Sequence, residues 1–382
     1  MKQQAMPPPR ARLCEARRIV VKIGTRVLAA RTGRPNRQRM RALVGEIAAL
    51  QRADRQLVVV SSGAIGAGVA ALGLSRRPTN LPDLQMTAAV GQTRLMALYD
   101  EMFGGEGLRI GQILLTHDDL RHRERHLNTR NTVENLLRHG VVPIVNENDV
   151  VAVDEIKVGD NDFLASLVAH LVEADLLVLL TTTDGLRRPD AGGRSRRVPV
   201  LDAITPAVLK LASGKGDALS TGGMYTKLKA ADEVARAGGA VVIADGRKPA
   251  VLTKVLAGAD TGTFVRPSIR DGRAMRRKKR WLAFFHRAAG SLVVDPGACE
   301  ALVHRGRSLL PKGIESVHGE FPIGALVNVE TRDGRLVARG LVSYASGDLR
   351  RIRGLRTTEV ARVLGRKDYD EVIHRDNMVL LV

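Results

Sequence analysis

Short apolar runs alternate with helical stretches through most of the chain, and a polar cluster follows nearly every run. The runs have the length and apolar content of strands buried inside a parallel sheet. They are residues 19–23, 57–60, 141–145, 176–180 and 240–244. Strands that alternate with helices predict a three-layer α/β domain with a mainly parallel sheet. Because ligands bind beyond the carboxyl ends of such strands, the polar clusters mark the candidate site.

Apolar residues at helical spacing indicate where the helices lie. Asn36 is predicted to cap a helix whose apolar face begins at Met40, and further helices are predicted around residues 86–103 and 128–139. His122 and His126 lie one helical turn apart in a highly charged stretch. We interpret that stretch as a solvated helix face rather than a metal site.

A length of 382 residues exceeds what one core usually holds, so the sequence predicts two domains. We expect an α/β domain over residues 18–268 and, after a charge run at 276–280, a small β-rich domain over residues 276–355. Asp333 and Gly334 between two apolar stretches are a strong hairpin signal. Residues 1–17 are predicted to form a loose N-terminal extension, and residues 356–382 a C-terminal tail.

The formal net charge of +20 fits a polyanionic partner such as RNA, an anionic substrate such as a nucleotide, or arginine use without a partner. Cys14 and Cys299 are the only cysteines and lie far apart, so a reducing cytoplasm is the expected location. Residues 57–74 carry no charge over about the length of a membrane span. Their glycines and serines favour a buried strand followed by a glycine-rich turn, so we expect no membrane association.

Lys22 lies at the end of the first apolar run, before the turn Gly24–Thr25. A lysine in a buried strand is costly without a partner, and at the strand end it would point at the ligand crevice. The alternative is an exposed lysine on an edge strand, which the apolar flanks disfavour. Backbone N–H groups of the turn can face a phosphate.

Residues 66–71 match the dinucleotide-binding fingerprint loosely, but no acidic residue ends the next strand at the required distance, so we reject a nicotinamide site. What remains is Ser62–Gly63, a bare backbone corner able to hold a carboxylate.

Asparagines and carboxylates cluster in residues 146–149 and 159–162, which we expect to be joined by a β-hairpin through Val158. Asp160 alone could be a helix cap, but capping does not explain the whole cluster. Oxygen ligands of this kind suit an ammonium group and a metal–nucleotide.

Residues 221–227 open a predicted helix with two glycines, and Lys227 lies one turn into it. Paired glycines at a helix N-terminus can make an anion site. A flexible loop with a threonine N-cap is the alternative, and the spacing is not that of a Walker loop.

Together these segments resemble the amino-acid kinase family, and within it the members that phosphorylate glutamate and carry a C-terminal PUA domain. The matching stretches of the first domain are VVKIGT at Val20, VSSGAIGAG at Val60, LQMTAAVGQTRLM at Leu84, GQILLT at Gly111, VPIVNENDVVAVDEIKVGDND at Val142 and TGGMYTKLKAAD at Thr221. Those of the second are KRWLAFF at Lys279, SLLPKGI at Ser308 and VIHRDNM at Val372.

The resemblance implies roles for individual residues. Lys22 and Lys227 match lysines that contact the ATP phosphates, and Asp162 matches the carboxylate that holds them. The positions that match glutamate-binding residues are Ser62, Asp149 and Asn161, with Asn146 close by. The positions that match nucleotide-binding segments are Thr181, Thr182, Thr221, Gly222, Gly223, Met224, Tyr225, Thr226 and Lys227. Arg26 and Tyr225 stand where a small residue and a serine are common, which could change the affinity for phosphate or nucleotide.

The implied activity is ATP-dependent phosphorylation of the side-chain carboxylate of L-glutamate, giving L-glutamyl 5-phosphate in the first step of proline biosynthesis, with ATP and Mg²⁺. The resemblance also implies inhibition by proline, a glutamyl-phosphate reductase downstream, and a homo-oligomer. A kinase for another amino-acid carboxylate, such as acetylglutamate or aspartate, and RNA binding through the PUA domain remain as alternatives.

Overall fold

A computed structural model of the protein describes residues 10–29, 35–151, 161–190, 194–212, 223–268, 288–366 and 369–381. The chain divides into two compact units, Met1–Ala274 and Met275–Val382. The predicted fold class is confirmed, because the first unit is an α/β structure on a mainly parallel sheet and the second is a small β-rich structure.

The first unit contains ten strands in its described part. They are β1 (Arg18–Ile23), β2 (Gln56–Val60), β3 (Ile110–Leu115), β4 (Val142–Glu147), β5 (Leu176–Thr181), β6 (Arg187–Pro189), β7 (Ser195–Arg197), β8 (Val200–Leu201), β9 (Ala240–Asp245) and β10 (Thr263–Val265). Eight of them form one sheet in the order β3-β4-β2-β1-β5-β9-β10-β8, and β6 and β7 form a separate ribbon.

Neighbouring strands from β3 to β9 all run parallel, and β10 is antiparallel to β9. The central strand β1 is buried on both faces along nearly its whole length. A strand covered on both faces must be apolar at every position, which explains the continuous runs in the sequence. The five strands predicted from those runs are confirmed to within two residues at each end.

Helices cover the sheet between these strands. They are α1 (Thr25–Leu28), α2 (Arg37–Arg52), α3 (Ala64–Ala71), α4 (Leu81–Gly105), α5 (His117–Arg121), α6 (Arg123–Arg138), α7 (Asn161–Leu171), α8 (Pro206–Ala212), α9 (Met224–Arg236) and α10 (Val251–Leu256). The predicted cap at Asn36 is confirmed, since its Oδ1 accepts from the Arg39 N–H at 3.0 Å. Helix α4 begins before residue 86, because Asn80 caps it at Asp83 and Pro82 occupies its first turn.

Helices α3 and α4 cross at two glycines. A Cβ at Gly91 would lie 1.7 Å from the carbonyl oxygen of Ala64, and one at Gly68 would lie 1.8 Å from that of Thr87. Only glycine permits this approach. The crossing places α4 directly beside the segment that leaves β2.

Two expectations are wrong in the first unit. The extension is not loose over residues 10–17, because Leu13 is buried and the Arg10 guanidinium donates to four backbone carbonyls, those of Ala259, Thr261, Pro199 and Gly262, at 2.6–3.1 Å. The helix around residue 126 is not solvated on every face either, because His126 is buried while His122 is exposed.

The second unit is a five-stranded sheet with three helices in its described part. Its elements are β11 (Gly290–Val294), α11 (Pro296–Arg305), β12 (Ile314–His318), β13 (Leu326–Glu330), β14 (Leu336–Leu341), α12 (Ser346–Ile352), α13 (Val360–Leu364) and β15 (Met378–Leu380), with strand order β12-β11-β13-β14-β15. The predicted hairpin is confirmed, since β13 and β14 pair antiparallel across a turn in which Gly334 has φ +77°. The tail contributes β15, which pairs with β14. No helix within the described ranges of either unit is long and apolar enough to cross a membrane.

The glycine crossing predicts opposite effects for two substitutions in α4. Gly91→Ala should lower the free energy of unfolding by about 3 kcal/mol, because the new methyl group overlaps the Ala64 carbonyl. At Gly104 in the same helix, a new Cβ would meet no atom within 4 Å among the described residues outside the helix backbone, so Gly104→Ala should be neutral or raise stability by about 0.5–1 kcal/mol. Urea unfolding of both variants measures the difference, and equal midpoints would contradict the close crossing.

Candidate active site

Polar side chains collect where β4, β2, β1 and β5 end, at one edge of the sheet. Four parallel neighbours bring their carboxyl ends together there. The residues at these ends are Asn146 on β4, Ser62 after β2, Lys22 on β1 and Thr181 on β5. The predicted site thus lies where parallel sheets place their ligands.

Asp162 lies between the two lysines that the sequence singled out. Its Oδ1 is 2.6 Å from the Nζ of Lys22, and its Oδ2 is 2.9 Å from the Nζ of Lys227. The hydroxyl of Thr226 donates to the same Oδ2 at 2.9 Å. All three charged side chains are nearly inaccessible, with 6% exposed for Lys22, 5% for Lys227 and none for Asp162. Lys22 is therefore a buried residue of the central strand, and the alternative of an exposed edge lysine is wrong.

One carboxylate serves two ammonium groups in this cluster. Burial by itself raises the pKa of Asp162, but the charges and hydrogen bonds of Lys22 and Lys227 outweigh it, so that pKa lies below its usual value. With Asp162 ionised and both lysines protonated, the cluster carries one net positive charge in a buried position. Such a charge favours an anionic ligand.

Helix α9 begins beside these lysines. Gly223 is its N-cap, and no side chain in the described part of the chain caps it. The N-cap is therefore not the threonine of the alternative interpretation, and among the described residues no side chain competes with an anion for the first N–H groups. Tyr225 on the first turn is exposed, as is Arg26 in α1. Thr221 and Gly222 lie outside the described residues, as do Asp160 and the hairpin predicted through Val158.

Thr181 and Thr182 end β5 next to a pair that sequence reasoning missed. Arg247 binds both carboxylate oxygens of Asp245 and donates to the carbonyl of Thr182 at 2.6 Å. Burial raises the pKa of Asp245, but the hydrogen bonds and charge of Arg247 lower it further, so the pair is ionic. The Asp–Gly–Arg turn after β9 could have suggested a polar strand end, but no motif marked it.

Ser62, Asn146 and Asn161 form a hydrogen-bonded corner. The Nδ2 of Asn161 donates to the Ser61 carbonyl at 2.7 Å, to the Ser62 hydroxyl at 3.0 Å and to the Oδ1 of Asn146 at 2.9 Å. Gly63 turns the chain out of this corner with φ +100°, a conformation that glycine adopts without strain. Three of the four predicted substrate residues are thus linked, because Asn161 contacts both Ser62 and Asn146.

Helix α7 joins the corner to the lysine cluster. Its first residue, Asn161, belongs to the corner, and its second, Asp162, holds both lysines. Adjacent residues therefore fix two chemically different halves of one site, an amide-lined half and a cationic half.

Asp149 follows the end of β4, three residues beyond Asn146. It is partly buried, and burial raises its pKa to about 6, an effect that the charge of Arg77 only partly offsets. A carboxylate in this state is poorly stabilised until a cation approaches it.

The model of the Amino acid kinase family matches residues 17–245, and that of the PUA domain matches residues 290–364. The chain therefore belongs to the amino acid kinase family, and its second unit contains a PUA domain.

Two curated relatives resemble the chain over nearly its whole length. Glutamate 5-kinase of Moorella thermoacetica is 47% identical over 374 residues, which cover 97% of this chain and 98% of the relative. Glutamate 5-kinase of Myxococcus xanthus is 47% identical over 376 residues with the same coverage. Within the family, the chain thus belongs with the glutamate 5-kinases and is an enzyme of the kinase class. Among solved structures, carbamate kinase from Giardia lamblia bound to AMP-PNP matches 67% of this chain and 100% of its own at 17% identity, with a TM-score of 0.46.

The raised pKa of Asp149 predicts a stability effect with a definite sign. Between about pH 4 and pH 6 the folded state binds the extra proton, so this carboxylate makes the protein less stable as the pH rises. Asp149→Asn mimics the protonated form and should raise the free energy of unfolding at pH 7 by about 2–3 kcal/mol, with no gain below about pH 4. Denaturant unfolding at several pH values measures this gain. Asp100→Asn, at an exposed position of α4, is the control, and an equal gain there would contradict the assignment.

Proposed function

We propose that the protein uses ATP to phosphorylate the side-chain carboxylate of L-glutamate, giving L-glutamyl 5-phosphate, the first step of proline biosynthesis. The observation that carries this proposal is the junction at the start of α7. Asn161 orders a corner suited to an amino acid, and Asp162 orders two lysines suited to phosphates. Their adjacency would hold the two substrates against each other.

The amide-lined half would bind glutamate. Amide and hydroxyl groups of Ser62, Asn146 and Asn161 can bind both the amino group and the carboxylates. Asp149 would pair with the amino group, since a nearby cation stabilises the ionised form of a carboxylate whose pKa burial has raised.

The cationic half would bind ATP. Lys22, Lys227 and the N-terminus of α9 would offer positive charge and N–H donors to its phosphates, and Thr181 and Thr182 would line the rest of the nucleotide. Mg²⁺ takes oxygen ligands and keeps several waters. The described residues contain no cluster of three His, Cys, Asp or Glu side chains for a metal. Because Mg²⁺ is commonly bound through substrate phosphates, the ion would enter with ATP and neutralise charge on it.

The chemistry needs no general base. A glutamate side chain has a reference pKa of about 4.3 and is ionised at neutral pH. Its carboxylate oxygen attacks the γ-phosphorus, the bond to the β-phosphate oxygen breaks, and ADP leaves. Positioning and charge neutralisation would supply the rate, and Lys22 and Lys227 would offset the charge on the transferring group.

Several properties that the sequence implies stay predictions. They are inhibition by proline, transfer of the product to a glutamyl-phosphate reductase, a homo-oligomer, a cytoplasmic location, and the domain bounds 18–268 and 276–355. RNA binding is the second candidate activity, favoured by the PUA domain match and the net charge of +20.

The proposed function is tested by trapping the acyl phosphate. Incubation with Mg-ATP, glutamate and hydroxylamine should give glutamyl hydroxamate, because hydroxylamine attacks the reactive acyl phosphate. Acetylglutamate and aspartate run in parallel as acceptors. A product with either of these and none with glutamate would overturn the substrate. No product with any acceptor from folded protein would overturn the function.

The proposed role of Lys227 predicts that its loss lowers kcat and leaves the affinity for glutamate nearly unchanged. Lys227→Ala should lower kcat by about 100-fold, as loss of one preorganised cationic donor does, while the KM for glutamate changes little. The fold should persist, because Asp162 keeps Lys22 as a partner. Lys254→Ala, at an exposed position of α10, is the control. An unchanged kcat in the Lys227 variant would contradict the assigned role.

A further inference from the structure

Gln92 contacts the amide-lined corner, although the sequence analysis assigned it no role. It is on α4, directly after Gly91, at the crossing with α3. Its Oε1 accepts a hydrogen bond from the Nδ2 of Asn146 at 2.8 Å. Asn146 is almost completely buried, with 1% exposed, so this contact supplies a partner to a buried amide of the corner.

The direction of the hydrogen bonds between these side-chain amides is set by the Ser61 carbonyl, which contacts Asn161. The Ser61 group that contacts Asn161 is a backbone carbonyl, which can only accept. The nearby amide atom of Asn161 must therefore be the donor Nδ2. Because Nδ2 also contacts Asn146, the Asn146 atom there must be Oδ1.

The same reasoning continues to Gln92. Because the Oδ1 of Asn146 faces Asn161, its Nδ2 must face Gln92. The Gln92 atom that accepts this hydrogen bond must therefore be Oε1. The chain of donors runs in one direction, from Asn161 through Asn146. A glutamine oxygen at its end satisfies the otherwise buried Nδ2 of Asn146.

The order of the amides decides what the site offers to a ligand. The Nδ2 of Asn161 is used by three acceptors, so its Oδ1 is the amide atom left to face a substrate. An oxygen at that place accepts from an ammonium group, whereas a flipped amide would present N–H groups and repel it.

We propose that Gln92 is a positioning residue for the amino-acid substrate: it holds the buried Asn146 amide in the orientation that the Ser61 carbonyl sets, so that an oxygen of Asn161 faces the substrate's amino group. This inference rests on the proposed function. It assigns to helix α4 a part in substrate recognition through one hydrogen bond. Gly91 permits this hydrogen bond, because a larger residue there would move α4, and with it Gln92, away from Asn146.

The test compares two substitutions at this position by steady-state kinetics. Gln92→Met keeps the length of the side chain and removes the acceptor. We expect the KM for glutamate to rise by about fivefold or more, with kcat and the KM for ATP within about twofold of the unsubstituted protein. Gln92→Glu keeps an oxygen in the same place and should recover most of the lost affinity. Gln112→Met, at an exposed position of β3, is the control and should change nothing.

The outcomes separate this inference from the function on which it rests. An active unsubstituted protein whose Gln92→Met variant has the same KM for glutamate would overturn the role of Gln92 and leave the function standing. A Gln92→Met variant whose kcat falls while the KM values for glutamate and ATP both rise would also overturn the role of Gln92. The same holds if the KM for glutamate of Gln92→Glu is as high as that of Gln92→Met. Unsubstituted protein that makes no glutamyl hydroxamate would instead overturn the proposed function. Thermal melting of each variant shows whether it folds. If Gln92→Met does not fold, the KM for glutamate of Gln92→Glu, which keeps the acceptor oxygen, still tests the role of Gln92.

Discussion

The site depends on one buried carboxylate, that of Asp162. Two lysines on separate elements, the central strand β1 and helix α9, would each be costly to bury alone. Asp162 binds both through its two oxygens and so ties α7, β1 and α9 together at the strand ends. Because one negative charge faces two positive charges, the same contact that permits their burial also leaves a net charge for an anion.

The amide-lined half is built by a different kind of constraint. Its residues carry no net charge, and its order comes from the direction of hydrogen bonds that start at a backbone carbonyl after β2. The close crossing of α3 and α4 supplies the outer end of that chain. A polar network of this type is stable when every member is satisfied, which makes its geometry specific for one orientation of each amide.

Catalysis and stability place opposite demands on this edge of the sheet. Asp149 is partly buried with only partial compensation from Arg77, which costs stability in the absence of a ligand. Arg247 and Asp245, by contrast, neutralise each other and fix the carbonyl of Thr182. Among the described residues at this edge, burial of the Asp149 carboxylate is therefore only partly compensated, whereas Asp162 and Asp245 are paired with basic side chains.

Five strands of the first unit and most of the candidate residues could be predicted from the sequence, because a doubly covered strand is apolar along most of its length and a strand end may be polar. Lys22, Ser62, Asn146 and Thr181 could be found for that reason. Tertiary structure decided what no local pattern records. Arg10 donates to four carbonyls that lie just before β8 and β10, and His126 is buried by packing on a helix that is charged along its sequence. Gln92 contacts Asn146 across 54 positions of the chain, because the helix crossing, and not the spacing of residues, brings them together.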